Sequence, residues 1–414
     1  MRRKFNILPV LFLGISLLFA FGVQAESGEE ERIDKEDYKI GVIVYSPDSQ
    51  EMSMFMNYYR DYLESGFPVQ FYFSGAVETP EEENAFIEAV KEQGAAGVIS
   101  FCGYDLESTL AVCEENEIYY VLGSNIVGDA DFEKAKENPW FLGSVGPDPE
   151  SVYQSGANMA EYFLEKGAHH CIIMTGGASK GNAAHASRVE AMLAALKEKA
   201  GLVLDKEISA IARTEENTTL ASEDGSLEVT LVPDYTENGL GLENLEDAFN
   251  AGDYDTLMSA FHVSTYLDKI MEKETQQGSG IAVGAVDSFT EANFEAFKQK
   301  DSFGEAPIDY VEGKYASMAG PAFAMMYNAV TGHAEANAED GKAIRLYQGF
   351  WRAKSREEFI ELYGYTTGIY ENAYSCEDLM QVIKVFSDDA SPEKLRELTE
   401  AYTVEDVKAR IIGS

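Results

Sequence analysis

From Lys39 onward, short apolar runs alternate with amphipathic stretches, the pattern of βαβ units built around a parallel sheet. The first run is Ile40-Gly41-Val42-Ile43-Val44-Tyr45, followed by a helical stretch from about Met52 to Leu63 and a strand over Val69–Phe73. Thr79-Pro80-Glu81-Glu82 then reads as a capping box with proline at the first helical position. The helix it opens carries Phe86, Ile87 and Val90 on one face, stops at Gly94 and leads into a buried strand over Ala96–Phe101. Another helix and a strand over Ile118–Leu122 complete the unit.

The Gly- and Pro-rich run Gly143-Ser144-Val145-Gly146-Pro147-Asp148-Pro149 interrupts the alternation, which then begins again. A helix runs to Lys166 with Gly167 as its stop, followed by a strand over Ile172–Thr175 and a helix facing Val189, Met192, Leu193 and Leu196 inward. Further strands are predicted over Val229–Val232, Thr256–Ala260 and Ile281–Val286. The polar, uneven span Asp205–Gly225 reads as a strand followed by a surface insertion. Beyond Ile308 come a strand, a long helix ending near Gly332 and a strand over Ile344–Tyr347. The remainder is predominantly helical, with starts at Ser391-Pro392 and Thr403-Val404, and reads as folded rather than disordered. The pattern therefore reads as α/β, with two lobes and a helical C-terminal extension.

Composition adds three constraints. The formal net charge of −40 repels nucleic acid and anionic membrane surfaces. Arg2, Arg3 and Lys4 precede an apolar stretch from Ile7 to Val23 ending in Val23-Gln24-Ala25, so residues 1–25 read as a cleaved signal peptide, a retained anchor being the alternative. No cysteine precedes Cys102, so the leader carries no lipidation site, and the chain is expected to be exported, periplasmic or extracellular, and free. Cys102, Cys113, Cys171 and Cys376 are too few for a disulfide scaffold and read as buried free thiols.

Several local features together resemble the type I periplasmic solute-binding proteins, the sugar-type components of ABC transporters similar to ribose- and galactose-binding proteins, and the effector domain of lactose-repressor-like regulators. These features are the polar turn Ser46-Pro47-Asp48-Ser49-Gln50 after the first strand, the crossover at 143–155, Arg188 starting the helix after Thr175-Gly176-Gly177, and a strand ending Val283-Gly284-Ala285-Val286-Asp287. The resemblance covers about residues 39–348. It implies an α/β fold of two doubly wound, Rossmann-like lobes joined by a three-segment hinge, with lobes at 39–144 with 306–345 and 145–305 with 346–353, an extension over 354–414, and crossings at 143–148, 306–313 and 344–351. It implies a small polar ligand, a sugar or sugar-like compound, held between closing lobes by a monomer that delivers it to a membrane permease. A sensory protein presenting its closed form to a receptor or kinase is the alternative. Three departures from sugar-binding relatives are Gly123-Ser124-Asn125, Ala191 and Ala260-Phe261-His262.

Each candidate ligand residue has a structural counterpart reading. Arg188 offers a guanidinium fork to vicinal hydroxyls or a carboxylate, or is a surface arginine. Asp287 contacts ligand or caps the next helix. Tyr235 stacks on a sugar face or fills a core, and His262 binds ligand or is a hydrogen-bonded histidine at a helix start. Ser49, Gln50, Ser124 and Asn125 offer neutral donors and acceptors from the first lobe, or are ordinary turn residues. Phe350 and Trp351 line the cleft or seat the extension. No phosphate loop, nucleophile elbow or metal-ligand spacing accompanies them, so the reading is a binding protein without catalysis and without a cofactor.

Overall fold

The computed structural model describes residues 38–178, 183–235, 240–368 and 372–413. The signal-peptide segment and Lys180 lie outside them. Thirteen strands are present among the described residues. In the first half they are β1 (Tyr38–Val44), β2 (Val69–Ala76), β3 (Gly97–Ser100), β4 (Tyr119–Gly123), β5 (Phe141–Pro147) and β6 (His170–Met174). The others are β7 (Thr218–Ala221), β8 (Glu228–Val232), β9 (Thr256–Ser259), β10 (Ala282–Ala285), β11 (Tyr310–Gly313), β12 (Ile344–Gln348) and β13 (Trp351–Ala353).

They form two sheets, ordered β12-β5-β4-β3-β1-β2 and β13-β11-β10-β9-β6-β8-β7. The first is parallel throughout; the second is parallel except for its edges β7 and β13. Strands such as Gly97–Ser100 and Thr256–Ser259 are buried at every position, which explains why they read as unbroken apolar runs. In each sheet the order reverses beside the first strand of the unit, at β1/β3 and at β6/β9. That reversal leaves a crevice beyond the strand carboxyl ends.

The chain passes between the sheets after β5, after β11 and between β12 and β13. The crossing expected over 306–313 would assign Tyr310–Gly313 to the first lobe, yet this strand pairs in parallel with β10 of the second sheet, so the return to the first sheet comes after Gly313. The span 205–225 also differs from expectation. A short helix, Ile208–Ala212, comes first and the strand β7 follows it, antiparallel to β8. The turn between them explains the order. The Asp224 carboxylate accepts bonds from Ser222 and Ser226, and Gly225 takes a positive φ, so 222–227 closes a hairpin rather than an open insertion.

Helix starts follow the sequence signals. Thr79 caps Pro80–Glu92 by accepting from the Glu82 amide, although the Glu82 carboxylate turns to the Glu78 amide, so the reciprocal half of the capping box is missing. Asp148 caps Pro149–Lys166, which ends at Gly167. This helix lies against Ala183–Ala200, and Gly156 allows the approach, because a Cβ there would overlap the Arg188 carbonyl oxygen. Cys102, Cys113 and Cys171 are buried free thiols and Cys376 is half-buried.

The extension forms helices Arg356–Thr366, Cys376–Met380, Pro392–Glu400 and Val404–Gly413. Arg356–Thr366 packs on Glu291–Lys298 of the second lobe, whereas Pro392–Glu400 lies along β12 of the first. Tyr58 donates to the Tyr374 carbonyl, Tyr374 stacks on Tyr402 at 4.1 Å, and Arg410 pairs with Asp378. The extension is thereby part of the core and bridges both lobes.

Candidate functional site

A cavity of about 790 Å³ opens where the carboxyl ends of both sheets face each other. Its wall is built from the residues that immediately follow strands: Tyr45 after β1, Ser124 after β4, Phe261 beyond β9, Asp287 beyond β10 and Lys314 after β11. Phe350, between β12 and β13, closes one side.

From the first lobe, the helix Gln50–Asn57 starts directly behind β1 with Ser49 as its cap, which fixes Glu51 in its first turn. The Glu51 carboxylate accepts from Lys314 Nζ at 2.9 Å and from Ser288 Oγ at 2.8 Å. Lys314 also donates to the Ser124 carbonyl at 3.4 Å. Burial alone would raise the Glu51 carboxyl. The Lys314 ammonium, the hydrogen bonds from Lys314 and Ser288, and more distantly Arg188 outweigh it and hold the group below the ordinary carboxylate value. Ser124 adopts a left-handed backbone and lines the cavity, and its buried hydroxyl has no hydrogen-bond partner among the described residues. Asn125 is spent on its own loop: its Nδ2 donates to the Cys102 carbonyl and its Oδ1 accepts from the Ile126 amide.

From the second lobe, Arg188 is anchored rather than free. Its Nη1 donates to the Ala260 carbonyl at 2.9 Å and the Val286 carbonyl at 3.2 Å, which ties the guanidinium to the ends of two strands. Its Nε has no partner among the described residues, and the guanidinium lies 5.8 Å from the Phe350 ring centroid. Arg188 sits in the second turn of Ala183–Ala200, not at the helix start as the sequence suggested; Ala183 and Ala184 themselves line the cavity. Burial lowers its proton affinity, yet a guanidinium remains charged. Asp287 accepts from the Ser288 amide and from Asn293 Nδ2, each at 2.7 Å, and burial pushes its carboxyl up against those bonds. The close approach of β11 to this residue requires Gly313, where a Cβ would overlap the Asp287 carbonyl oxygen.

Of the residues singled out in the sequence, Arg188, Asp287, Ser124 and Asn125 are brought together on the cavity wall. Ser49 is the helix cap beneath Glu51, and Gln50 lines a separate cavity. Tyr235 is only 1% exposed and lies behind the wall, its hydroxyl bonded to His185 Nδ1 and its ring tilted against Phe261 at 5.4 Å. His262 packs edge-on to Phe261 at 4.3 Å and is not among the lining residues. Phe261, stacked on His185 at 4.8 Å, does reach the cavity, as do Tyr45 and Phe350. Burial, then the neighbouring Arg188 and Lys314 charges, push the His185 pKa down to about 2, so it is neutral.

Sequence reasoning missed Glu51, His185, Ser288 and Lys314. Two signals pointed to them. Glu51 and Lys314 each follow a predicted strand end, and His185 lies three residues before Arg188, on the same helix face.

No family model and no curated protein matches the sequence. Solved structures do. A galactofuranose-binding protein superposes with a TM-score of 0.56 at 12% identity, over 80% of this chain and 99% of that one. An ABC transporter solute-binding protein from Bacillus halodurans C-125 with bound myo-inositol gives 0.53 at 15% identity, over 80% and 99%. The periplasmic binding protein component of the arabinose ABC transporter from Shewanella sp. ANA-3, bound to arabinofuranose, gives 0.52 at 13% identity, over 80% and 96%. With its two parallel sheets, its three passages between them and a cavity at the facing strand ends, the chain has the two-lobe fold of the sugar-type, type I periplasmic solute-binding proteins.

Proposed function

We propose that this chain is an exported solute-binding protein that holds a small polar ligand, a sugar or sugar-like polyol, between its lobes and delivers it to an ABC transporter permease. The observation that carries this reading is the composition of the cleft. Arg188 and Asp287 of the second lobe and the unpartnered Ser124 hydroxyl of the first converge on one cavity, beside the apolar rings of Phe261 and Phe350. Such a wall offers donors and acceptors to hydroxyls and flat faces to the C–H side of a ring. The charged groups are tied down, Glu51 by Lys314 and Arg188 by two carbonyls, which favours holding a ligand over transforming it. Binding proteins of this fold that hold galactofuranose, inositol and arabinofuranose support the same ligand class.

A thermal-shift screen of aldoses, furanoses and inositols against amino acids and nucleosides tests it. A ligand at a hundred times its Kd stabilises the native state by about 2.7 kcal/mol. A polyhydroxyl compound should give that shift, and small-angle scattering with it should show a smaller radius of gyration. A shift from amino acids or nucleosides alone would reject the sugar reading. Stimulation of a reconstituted permease by the loaded protein separates delivery from presentation to a receptor.

A further inference from the structure

Another cavity, of about 670 Å³, adjoins the cleft on the first lobe. It is a groove along the helices that follow β3 and β4, Leu106–Asn116 and Asp129–Ala135, which pack on each other. Cleft and groove share one lip: Tyr104, Asn125 and Ile126 line both.

The lip holds an aromatic ring in a fixed place. Glu83 is buried on the helix Pro80–Glu92, and one oxygen of its carboxylate accepts from Ser100 Oγ at 2.6 Å and from the Tyr120 hydroxyl at 2.9 Å. The other accepts from the Tyr104 amide at 3.3 Å. The Tyr104 hydroxyl in turn donates to the Val77 carbonyl at 2.8 Å, and Asn125 Nδ2 ties the facing loop to the Cys102 carbonyl. Tyr104 is therefore pinned through its backbone and through the tip of its side chain, yet it remains 45% exposed. A lone exposed ring is ordinary on a protein surface. A ring held at both ends where two cavities meet is a preorganised stacking surface.

Beyond the lip, the buried side chains of Leu110, Leu122 and Val127 give the groove an apolar floor. Its rim is rich in oxygen. The Glu107 and Glu114 carboxylates have no ion pair among the described residues, and Asn138 accepts from the Trp140 amide through Oδ1, which leaves its Nδ2 to donate. Carboxylates and an amide beside an aromatic face suit hydroxyls and ring C–H groups, whereas the surplus of acids repels an anion. The cleft and the groove each lie within the range of about 300–1,000 Å³ in which a pocket buries a small ligand, so one sugar unit in the cleft leaves the groove free for more.

We propose that the groove is a second subsite for the ligand of the cleft, and that this ligand is a neutral oligosaccharide with one unit in the cleft and the next passing over Tyr104 into the groove. The assignment rests on the sugar reading of the cleft and extends it.

Calorimetric titration of the full chain with three length series, galactose to galactotriose, glucose to maltotriose and xylose to xylotriose, tests the groove. In a series that binds, the trisaccharide should bind at least about tenfold more tightly than the monosaccharide, as expected for an added aromatic face and added hydrogen bonds. Ala111→Trp places an indole in the groove from an exposed position that does not line the cleft. It should bring the trisaccharide down to the monosaccharide's affinity and leave the monosaccharide at the parental value, which is itself the check that the lobe is folded. Tyr104→Ala should weaken the trisaccharide at least about tenfold. Equal affinity at every length in the parent, parental trisaccharide affinity in Ala111→Trp, or an equal loss at every length in that variant would each overturn the groove and leave the sugar reading standing. Heat from none of these saccharides would overturn it too, and the polyol screen above then decides the sugar reading by itself.

Discussion

Glu51 and Lys314, 263 residues apart, form an ion pair at 2.9 Å on the wall of the cleft, and the second carboxylate oxygen of Glu51 reaches across to Ser288 of the other lobe. Ion pair and cross-lobe bond together make Glu51 a latch within the ligand cavity. Its folded carboxyl titrates below the ordinary value of 4.5, so the stability it contributes is fully present above that value and is lost as pH falls through the lower folded one. Glu51→Gln should remove this acid limb from the pH–stability profile and, with Lys314 left without its counter-charge, destabilise the protein at neutral pH by about 1–3 kcal/mol. Denaturant melts from pH 3 to 7 measure both, and an unchanged profile would remove Glu51 from the latch.

Arg188 has a structural duty as well as a place on the wall. Arg188→Ala should weaken ligand binding by roughly ten- to a hundredfold, the worth of charge-assisted hydrogen bonds. It should also destabilise the second lobe, because the Ala260 and Val286 carbonyls lose their donor. Lys199→Ala, which removes an exposed cation from the same helix, should change neither. Calorimetry paired with urea melts separates the effects; parental affinity in Arg188→Ala would place the ligand elsewhere.

His185 gives a second acid sensitivity of the same sign, in a higher pH range. Its neutral form is the one the folded state accepts, down to a pKa of about 2, whereas an unfolded histidine takes up its proton near 6.5. Stability therefore falls as pH drops below about 6.5, by at most about 1.4 kcal/mol per pH unit from this group. His185→Asn should flatten the profile between pH 6.5 and 5, well above the range in which Glu51 acts. A profile identical to the parent's there would mean that His185 is protonated in the native protein.

Tyr235 sits behind the wall, so Tyr235→Phe removes its bond to His185 without touching the cavity surface. It should cost about 1 kcal/mol of stability and little affinity, whereas Phe261→Ala should lose affinity as well. A large affinity loss in Tyr235→Phe with none in Phe261→Ala would restore the stacking role read from the sequence.

Gly313→Ala should be more harmful than an exposed glycine substitution, because its Cβ would overlap the Asp287 carbonyl and push β11 from β10. Both stability and affinity should drop, measured by melting and titration, while Gly75→Ala, with open space around it, serves as the control.

The sequence by itself determined most of the elements and their order, the span 205–225 excepted. The period of its apolar runs, the caps at Thr79, Asp148 and Ser391 and the stop at Gly167 act over a few residues, and local rules read them directly. It also marked Asp287, Ser124 and Asn125 as strand-end candidates, since in open α/β sheets ligand groups gather there, and Arg188 as a donor on the helix that follows a strand. Only the tertiary structure decided which sheet each late strand joins, because the short run Tyr310-Val311-Glu312-Gly313 carries no local mark of either sheet and pairing, not pattern, places it beside β10. The same holds for the latch. Their places after strand ends mark Glu51 and Lys314 singly, but nothing local pairs the two among the 70 or so other acids and 30 or so other bases of the chain until folding puts their charges in one partly buried space, where Coulomb energy depends on distance and surroundings, not on sequence separation.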